Sequence, residues 1–306
     1  MEITPFLLSF IDKKIRELSV RKTLFLLLML IGPAKAKSID WIITDFPPYY
    51  MISDDLEGTG REELEGTGRD ELVINLLHEH LPDYSEKKIF FPASRAIKAL
   101  SDKRKTYCML SLYKTRERQR FMHFSDNYAT IGLSPTLAIS NKTLAALNKQ
   151  QLETVSLKQF IEKNNLVLGV VMQRSYGSVL DDIIKSLPKE QVLTRPGQDA
   201  LESLTNMLIK NRVDAVIGYP SEHHYIHKLT HTRAQLSQLL LDDIAPLAYG
   251  YVGCTKNDNG KQIISMINET IPELTNSQAF KSIMIKWLPC YLETKLDKLL
   301  KGKVSS

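Results

Sequence analysis

Short β-rich apolar runs alternate with helix-spaced segments along this chain, and the alternation starts over once. That pattern constrains the fold more than any other feature of the sequence. In the first half, residues 40–44 form a strand-like run that ends at Asp45-Phe46-Pro47-Pro48, and residues 71–81 carry helical apolar spacing. Residues 88–91 are again strand-like, 93–100 suit a short helix, and 107–112 suit a buried strand. The second round has strands at 166–172, 191–193 and 215–218 with helices at 176–187 and 200–210 between them. This order predicts an α/β fold of two lobes with similar plans, and not a helical bundle. After residues 247–254 the tail turns helical at 262–271 and 277–287, which is most economically read as a return to the first lobe.

The N-terminus has a different character. Arg21 and Lys22 precede an apolar run from Leu24 to Ile31, Gly32-Pro33 breaks it, and Ala34-Lys35-Ala36 supplies small residues for a signal peptidase. Residues 1–36 are therefore expected to be a secretory signal peptide cleaved after Ala36. The run is far shorter than the roughly 20 residues that span a bilayer, and the mature protein is expected to be soluble and periplasmic. Residues 1–19 read either as a long n-region or as sequence upstream of a true start at Val20. Residues 1–36 hold six Lys/Arg and three Asp/Glu, so the remainder carries a formal charge of +2, against +5 for the whole chain. No basic run able to track a phosphate backbone remains, so no nucleic-acid partner is expected.

The expected mature part, some 270 residues, suffices for one large domain or two ordinary ones. All three cysteines, Cys108, Cys254 and Cys290, lie in it. An oxidising compartment permits one bridge and leaves one thiol over. His223, His224, His227 and His231 cluster at helical spacing, but nothing beyond Glu222 completes a ligand set, so no built metal site and no cofactor are expected. No Gly-x-Ser-x-Gly elbow and no His-Glu-x-x-His helix is present, which argues against an enzyme. The tandem repeat from Leu56 to Glu71 is too brief for a solenoid and lacks the Lys-Ser/Thr of a phosphate cradle, so it reads as a duplicated surface loop before a helix.

Four motifs in order carry a resemblance. Asp45-Phe-Pro-Pro-Tyr-Tyr50 follows the first strand, and Gly66-Thr-Gly-Arg-Asp70 precedes the first helix. Thr115-Arg-Glu-Arg118 runs on to Phe124-Ser125, and Arg212-Val-Asp-Ala215 lies in the second lobe. With this spacing the chain resembles type II periplasmic solute-binding proteins, the bacterial extracellular solute-binding family 3 that serves polar amino-acid ABC importers. The resemblance implies lobe one at 37–138 plus 248–306, lobe two at 139–247, and two crossover strands joining them. It also implies a monomer that captures an anionic or zwitterionic small molecule and hands it to an ABC permease. Some such lobes act instead as receptors for a sensor, and others occur fused to peptidoglycan-cleaving domains. The family plan puts Cys108 and Cys254 on lobe-one segments, which implies that pair as the disulfide.

In that family the arginine matching Arg118 grips the ligand carboxylate, a task suited to a planar, permanently charged fork of donors. Ser111 and Tyr113 match positions that line the cleft. Tyr49 or Tyr50 would give an aromatic wall, and Arg95 lies on a helix that could reach the same cleft. Ser175 and Tyr176, between a strand and a helix whose N-terminal amides attract anions, are candidates for closing contacts. Amino-acid binders have an aspartate after the last lobe-two strand to hold the ammonium; here Tyr219 stands there, with Glu222 three residues on.

Overall fold

The computed structural model describes residues 37–52, 66–172, 174–197, 199–229 and 236–304. The expected signal peptide, the alternative start at Val20, most of the tandem repeat and His231 lie outside the described residues. The first sheet is built from β1 (Lys37–Ile43), β2 (Tyr84–Phe90), β3 (Cys108–Leu112), β4 (Met122–Phe124), β5 (Thr130–Leu133) and β12 (Leu247–Thr255). Its order is β2-β1-β3-β12-β4, with β5 also pairing to β12. β1 runs parallel to β2 and β3, whereas β12 is antiparallel to β3, β4 and β5. Alternation along β1 puts Ile39 and Trp41 on one face and Ile42 on the other. The first face packs under α1 (Arg69–Glu79), α8 (Asp258–Asn276) and α9 (Gln278–Ile285); the second packs on α2 (Ala93–Ser101).

The second sheet has the order β7-β11-β6-β10-β8-β9. Its strands are β6 (Thr136–Ser140), β7 (Thr154–Val155), β8 (Leu168–Val171), β9 (Val192–Arg195), β10 (Ala215–Gly218) and β11 (Leu236–Leu241). Five helices cover it: α3 (Asn141–Ala146), α4 (Leu157–Lys163), α5 (Ser178–Ser186), α6 (Ala200–Ile209) and α7 (Pro220–Leu229). The two-lobed plan is thus as expected, but its seams move by a few residues. Residues 136–138 belong to β6, so lobe one gives out at Leu133 instead of 138, and Leu247 opens β12 in lobe one instead of closing lobe two. The reason is pairing: β6 hydrogen-bonds β10 and β11 along its whole length. The crossings themselves are the short links 134–135 and 242–246.

The sequence reading did not include α3 and α4, and two further departures have a clear physical basis. α8 continues through Pro272 to Asn276, although proline inside a helix costs about 3 kcal/mol. Ile263, Ile264, Ile267, Ile271 and Leu274 form one unbroken buried stripe along it, and that burial outweighs the lost hydrogen bond. The second is α10 (Cys290–Val304), which the sequence reading did not include. Leu292 and Leu296 seat it in the lobe-one core, while Lys295 Nζ reaches Glu153 Oε2 of lobe two at 2.9 Å. Among the described residues no helix is long and apolar enough to cross a membrane.

Cys108 and Cys254 face each other on β3 and β12 and form a buried disulfide, while Cys290 is free and exposed. The bridge joins positions 146 residues apart. Closing so long a loop removes much freedom from the unfolded chain, so losing the bond is expected to cost about 2–5 kcal/mol. Urea unfolding of the Cys108→Ala/Cys254→Ala variant beside the parent measures this. An unchanged midpoint would mean that the bond adds nothing to stability.

Candidate functional site

Strand order in the first sheet reverses at β1, whose neighbours β2 and β3 both run parallel to it, and the crevice outside the carboxyl ends of such strands is where α/β sheets bind ligands. Three segments leave these ends. The turn 44–51 follows β1, Ser111 and Tyr113 stand at the end of β3, and Tyr219-Pro220-Ser221 follows β10 on the opposing lobe. Together they line a cavity of about 150 Å³, with Arg69 and Asp70 at the start of α1, Thr130 and Gly132 of β5, Tyr249 and Gly250 of β12, and Trp287.

The turn after β1 is held to the N-terminus of α1. Arg69 N donates to Pro48 O at 3.0 Å and Asp70 N to Tyr49 O at 2.9 Å, so the first helical amides find partners in the turn. Glu71 Oε2 accepts from Met51 N at 2.8 Å and from Gly68 N at 3.2 Å. A β-carbon at Gly68 would lie 2.4 Å from Tyr49 O, so only glycine lets turn and helix approach this closely. This packing buries Tyr49 and Tyr50 and sets Arg69 in the cleft.

Among the described residues that line the cavity, Arg69 is the cation. Its Nε lies 2.8 Å and its Nη2 2.7 Å from Asp70 Oδ1, and Nη2 also donates to Ser111 Oγ at 3.0 Å. The guanidinium carbon stands 4.3 Å from the centre of the Tyr49 ring. Burial opposes its charge, but Asp70 beside it more than offsets this, so the guanidinium is held above its ordinary pKa. Ser111 reaches this position through a left-handed backbone, φ 59°, and its hydroxyl also meets Thr130 Oγ1 at 2.8 Å. The fold accommodates that kink with a glycine opposite: a β-carbon at Gly250 would lie 2.6 Å from Ser111 Cα.

The lobes meet across the cavity. Tyr49 Oη and Ser221 Oγ are 2.8 Å apart, Tyr113 and Tyr219 share a short hydroxyl–hydroxyl hydrogen bond, and the Tyr225 ring of lobe two stands edge-on to Trp287 at 5.7 Å. Burial pushes the Tyr49, Tyr50 and Tyr219 hydroxyls well above the usual tyrosine range, so all three stay protonated donors. Behind Tyr219, Arg174 Nη2 bonds both oxygens of buried Glu222, at 2.8 and 2.9 Å. Glu222 Oε2 also accepts from Tyr219 N at 2.9 Å, the half of a capping box that opens α7. Phe46, Tyr176 and Tyr219 all present rings to the Arg174 guanidinium, at 5.2 to 5.6 Å.

Of the residues singled out in the sequence, the structure brings Tyr49, Tyr50, Ser111, Tyr113 and Tyr219 to the cavity and leaves the others outside its lining. Arg118 begins a turn of 3-10 helix and donates from Nη1 to Tyr113 O at 3.2 Å, so it supports the Tyr113 backbone from behind. Arg95 is exposed on α2. Ser175 donates to Asp181 Oδ2 at 2.6 Å at the start of α5, and Tyr176 is a buried residue whose hydroxyl accepts from Val171 N at 3.3 Å. Arg69, Asp70 and Trp287 were not singled out. The signal for Arg69 and Asp70 was their place at the start of the first helix, in the motif Gly66-Thr-Gly-Arg-Asp70, a position that a switch point makes functional; Trp287, just past the end of α9, carried no such signal. Among the described residues no group of histidine, cysteine and acidic side chains is arranged to hold a metal.

No protein-family model matches the chain, and no curated protein does. Solved structures do. The probable amino-acid ABC transporter extracellular-binding protein of Bacillus subtilis is 17% identical, with a TM-score of 0.59, over 83% of this chain and 98% of its own. An ancestral arginine-binding protein bound to arginine is 16% identical, with a TM-score of 0.55, over 82% of this chain and 98% of its own. A histidine kinase sensor domain with similarity to periplasmic binding proteins is 14% identical, with a TM-score of 0.55, over 82% and 96%. These likenesses give the fold, the two-lobed architecture of periplasmic binding proteins.

His223, next to Glu222, supplies a pH test of this wall. It is buried at 1% exposure with Nδ1 3.2 Å from Thr205 Oγ1, and burial, with the Arg174 charge adding to it, pushes its pKa down to about 3. A histidine in the unfolded chain titrates near 6.5, so below that pH the unfolded state takes up a proton that the folded state refuses. Stability is therefore complete above pH ~6.5 and falls as pH drops toward 3, by up to about 1.4 kcal/mol per unit from this residue. Denaturant midpoints at pH 7.5 and 5 are expected to converge in His223→Gln relative to the parent. Equal differences in both proteins would refute the assignment.

Proposed function

We propose that this protein is an exported, non-catalytic solute-binding protein that encloses a small, carboxylate-bearing polar solute between its two lobes and presents it to an ABC importer. The observation that carries the reading is the enclosed cavity at the carboxyl ends of β1, β3 and β10, walled by both lobes, with a guanidinium, hydroxyls and aromatic rings facing inward. Two short crossings give the lobes a hinge, and the hydroxyl pairs Tyr49–Ser221 and Tyr113–Tyr219 latch the closed form. Similar structures that are binding proteins of amino-acid ABC transporters support the same reading. The signal-peptide order of residues 1–36 supports delivery to the periplasm. A sensor-partnered receptor is the second reading, favoured by the likeness to a histidine kinase sensor domain. Both readings need the same cleft.

Thermal unfolding of residues 37–306 against a panel of amino acids, mono- and dicarboxylates and small peptides tests the proposal. A solute at 100 times its dissociation constant is expected to add about 2.7 kcal/mol of stability. Tyr219→Ala, which removes a lobe-two wall and the Tyr113 latch, is expected to lose most of that gain. A panel that moves no midpoint, or a gain unchanged in Tyr219→Ala, would count against the cleft as the binding site.

A further inference from the structure

The donors and acceptors that face the cavity are unequal. Arg69 commits Nε and Nη2 to Asp70 and Ser111, but among the described residues its Nη1 has no protein hydrogen bond. That nitrogen lies beside Gly132 of β5, where a β-carbon would stand 3.5 Å away, so the absence of a side chain there keeps it open to the cavity. Trp287 lines the same cavity at 8% exposure, and its Nε1 is buried without a partner. An indole N–H only donates, and a guanidinium only donates. The open guanidinium nitrogen and the buried indole N–H are thus both donors without an acceptor, and a buried donor left unmet is costly.

Acceptors for a solute cation are in a different state. Lobe two faces the cavity with Tyr219, Pro220 and Ser221, none of them acidic. Glu222, next along the chain, is 1% exposed and already takes Arg174 Nη2 on both oxygens and the Tyr219 amide on one. On lobe one Asp70 is likewise 1% exposed and pairs with Arg69. Among the described residues that line this space no further carboxylate stands ready for an ammonium, which would be stripped of water there, and an unpaired buried charge is strongly disfavoured. The rest of the wall is largely aromatic, from Phe46, Tyr49, Tyr113, Tyr219 and Tyr249, which suits a flat apolar body.

Resting on the solute-binding reading above, we infer that the cleft selects a small carboxylate with a flat apolar body and no ammonium group. Arg69 is its anchor and Trp287 a second donor. Selectivity is then the reverse of an amino-acid site: Tyr219 stands where a carboxylate would be needed, and Arg174 withholds Glu222.

Titration calorimetry with matched pairs tests this, using 3-phenylpropionate against L-phenylalanine and butanoate against L-2-aminobutanoate. In at least one pair the member without the ammonium is expected to bind ten times tighter or more. Trp287→Phe, which keeps the ring against Tyr225 and removes the N–H, is expected to weaken that acid about tenfold. Because Arg69→Met alone would strand Asp70, the double variant Arg69→Met/Asp70→Asn is used for the anchor; it is expected to melt near the parent temperature and to lose the acid. Tyr219→Asp is expected to shift the preference toward the amino acid by tenfold or more. Tighter binding of the amino acids by the parent, unchanged acid binding in the folded double variant, or no binding of any of the four at millimolar concentration would each overturn the inference. The solute-binding reading would survive those results as long as the wider panel moves the melting midpoint and Tyr219→Ala abolishes the shift.

Discussion

The structure of the cleft depends on one buried carboxylate. Glu71, 3% exposed, accepts the amides of Met51 and Gly68 and so ties the turn after β1 to the first turn of α1. Hydrogen bonds inside a protein lose little to competing water. Everything that lobe one offers a solute hangs on this tie. It fixes the carbonyls of Pro48 and Tyr49 over the helical amides, packs Tyr49 against Arg69, and orients the Arg69 fork toward Ser111. Without it the turn and the helix would be joined only by the amides of Arg69 and Asp70, and Met51 N and Gly68 N would lose their acceptor.

Each lobe brings an arginine to the cleft region, and each arginine comes with its own carboxylate. Arg69 with Asp70 and Arg174 with Glu222 are both partly buried ion pairs, at 15% and 1% and at 16% and 2% side-chain exposure. Such pairs add little net stability, because desolvation consumes most of the attraction. Their value here lies in geometry and neutrality. Arg174, held by Glu222, stacks under Phe46 from the opposite lobe, so closure joins an aromatic face to a cation without leaving a net charge in the seam. The lobes can therefore come together with an aromatic and hydroxyl boundary, in which Met51, Tyr225 and Trp287 also meet.

The fold was largely legible in the sequence, since alternation of apolar runs is a direct record of strand and helix faces. β3, β10, α5 and α6 fall within a few residues of their periodic segments, whereas α3 and α4, each two turns or less, carry too short a pattern to be read. Pro272 misled because a local rule was outweighed by a long buried stripe that only the packed helix reveals. α10 is absent from the sequence reading although Leu292, Leu296 and Leu299 repeat at helical spacing; the lysines between them give the segment a polar composition that masks the stripe. Of the candidate site the strand ends were legible: the resemblance pointed to Ser111 and Tyr113 and the turn after the first strand to Tyr49, and these line one cavity with Tyr219. The site was not legible in its cation. Arg118 and Arg69 both follow motif-like runs, and which one enters the cleft is decided by backbone that spacing does not encode: a 3-10 turn that swings Arg118 onto the Tyr113 carbonyl, and a glycine cap that lets Arg69 approach Tyr49.

β12 is the strand on which the chain re-enters lobe one from the second crossing, and along its length it pairs with β5, β3 and β4. Any torque delivered by the moving lobe arrives first at its Leu247 end. A strand shared among three neighbours could relieve such torque by slipping one residue, which would turn each side chain to the opposite face. The covalent rivet between Cys254 and Cys108 forbids that slippage in the stretch beside Ser111. On the proposed reading lobe one would serve as a fixed jaw: the load of a closing stroke would fall on the links at 134–135 and 242–246, and the seat of a solute would keep its alignment from one cycle to the next.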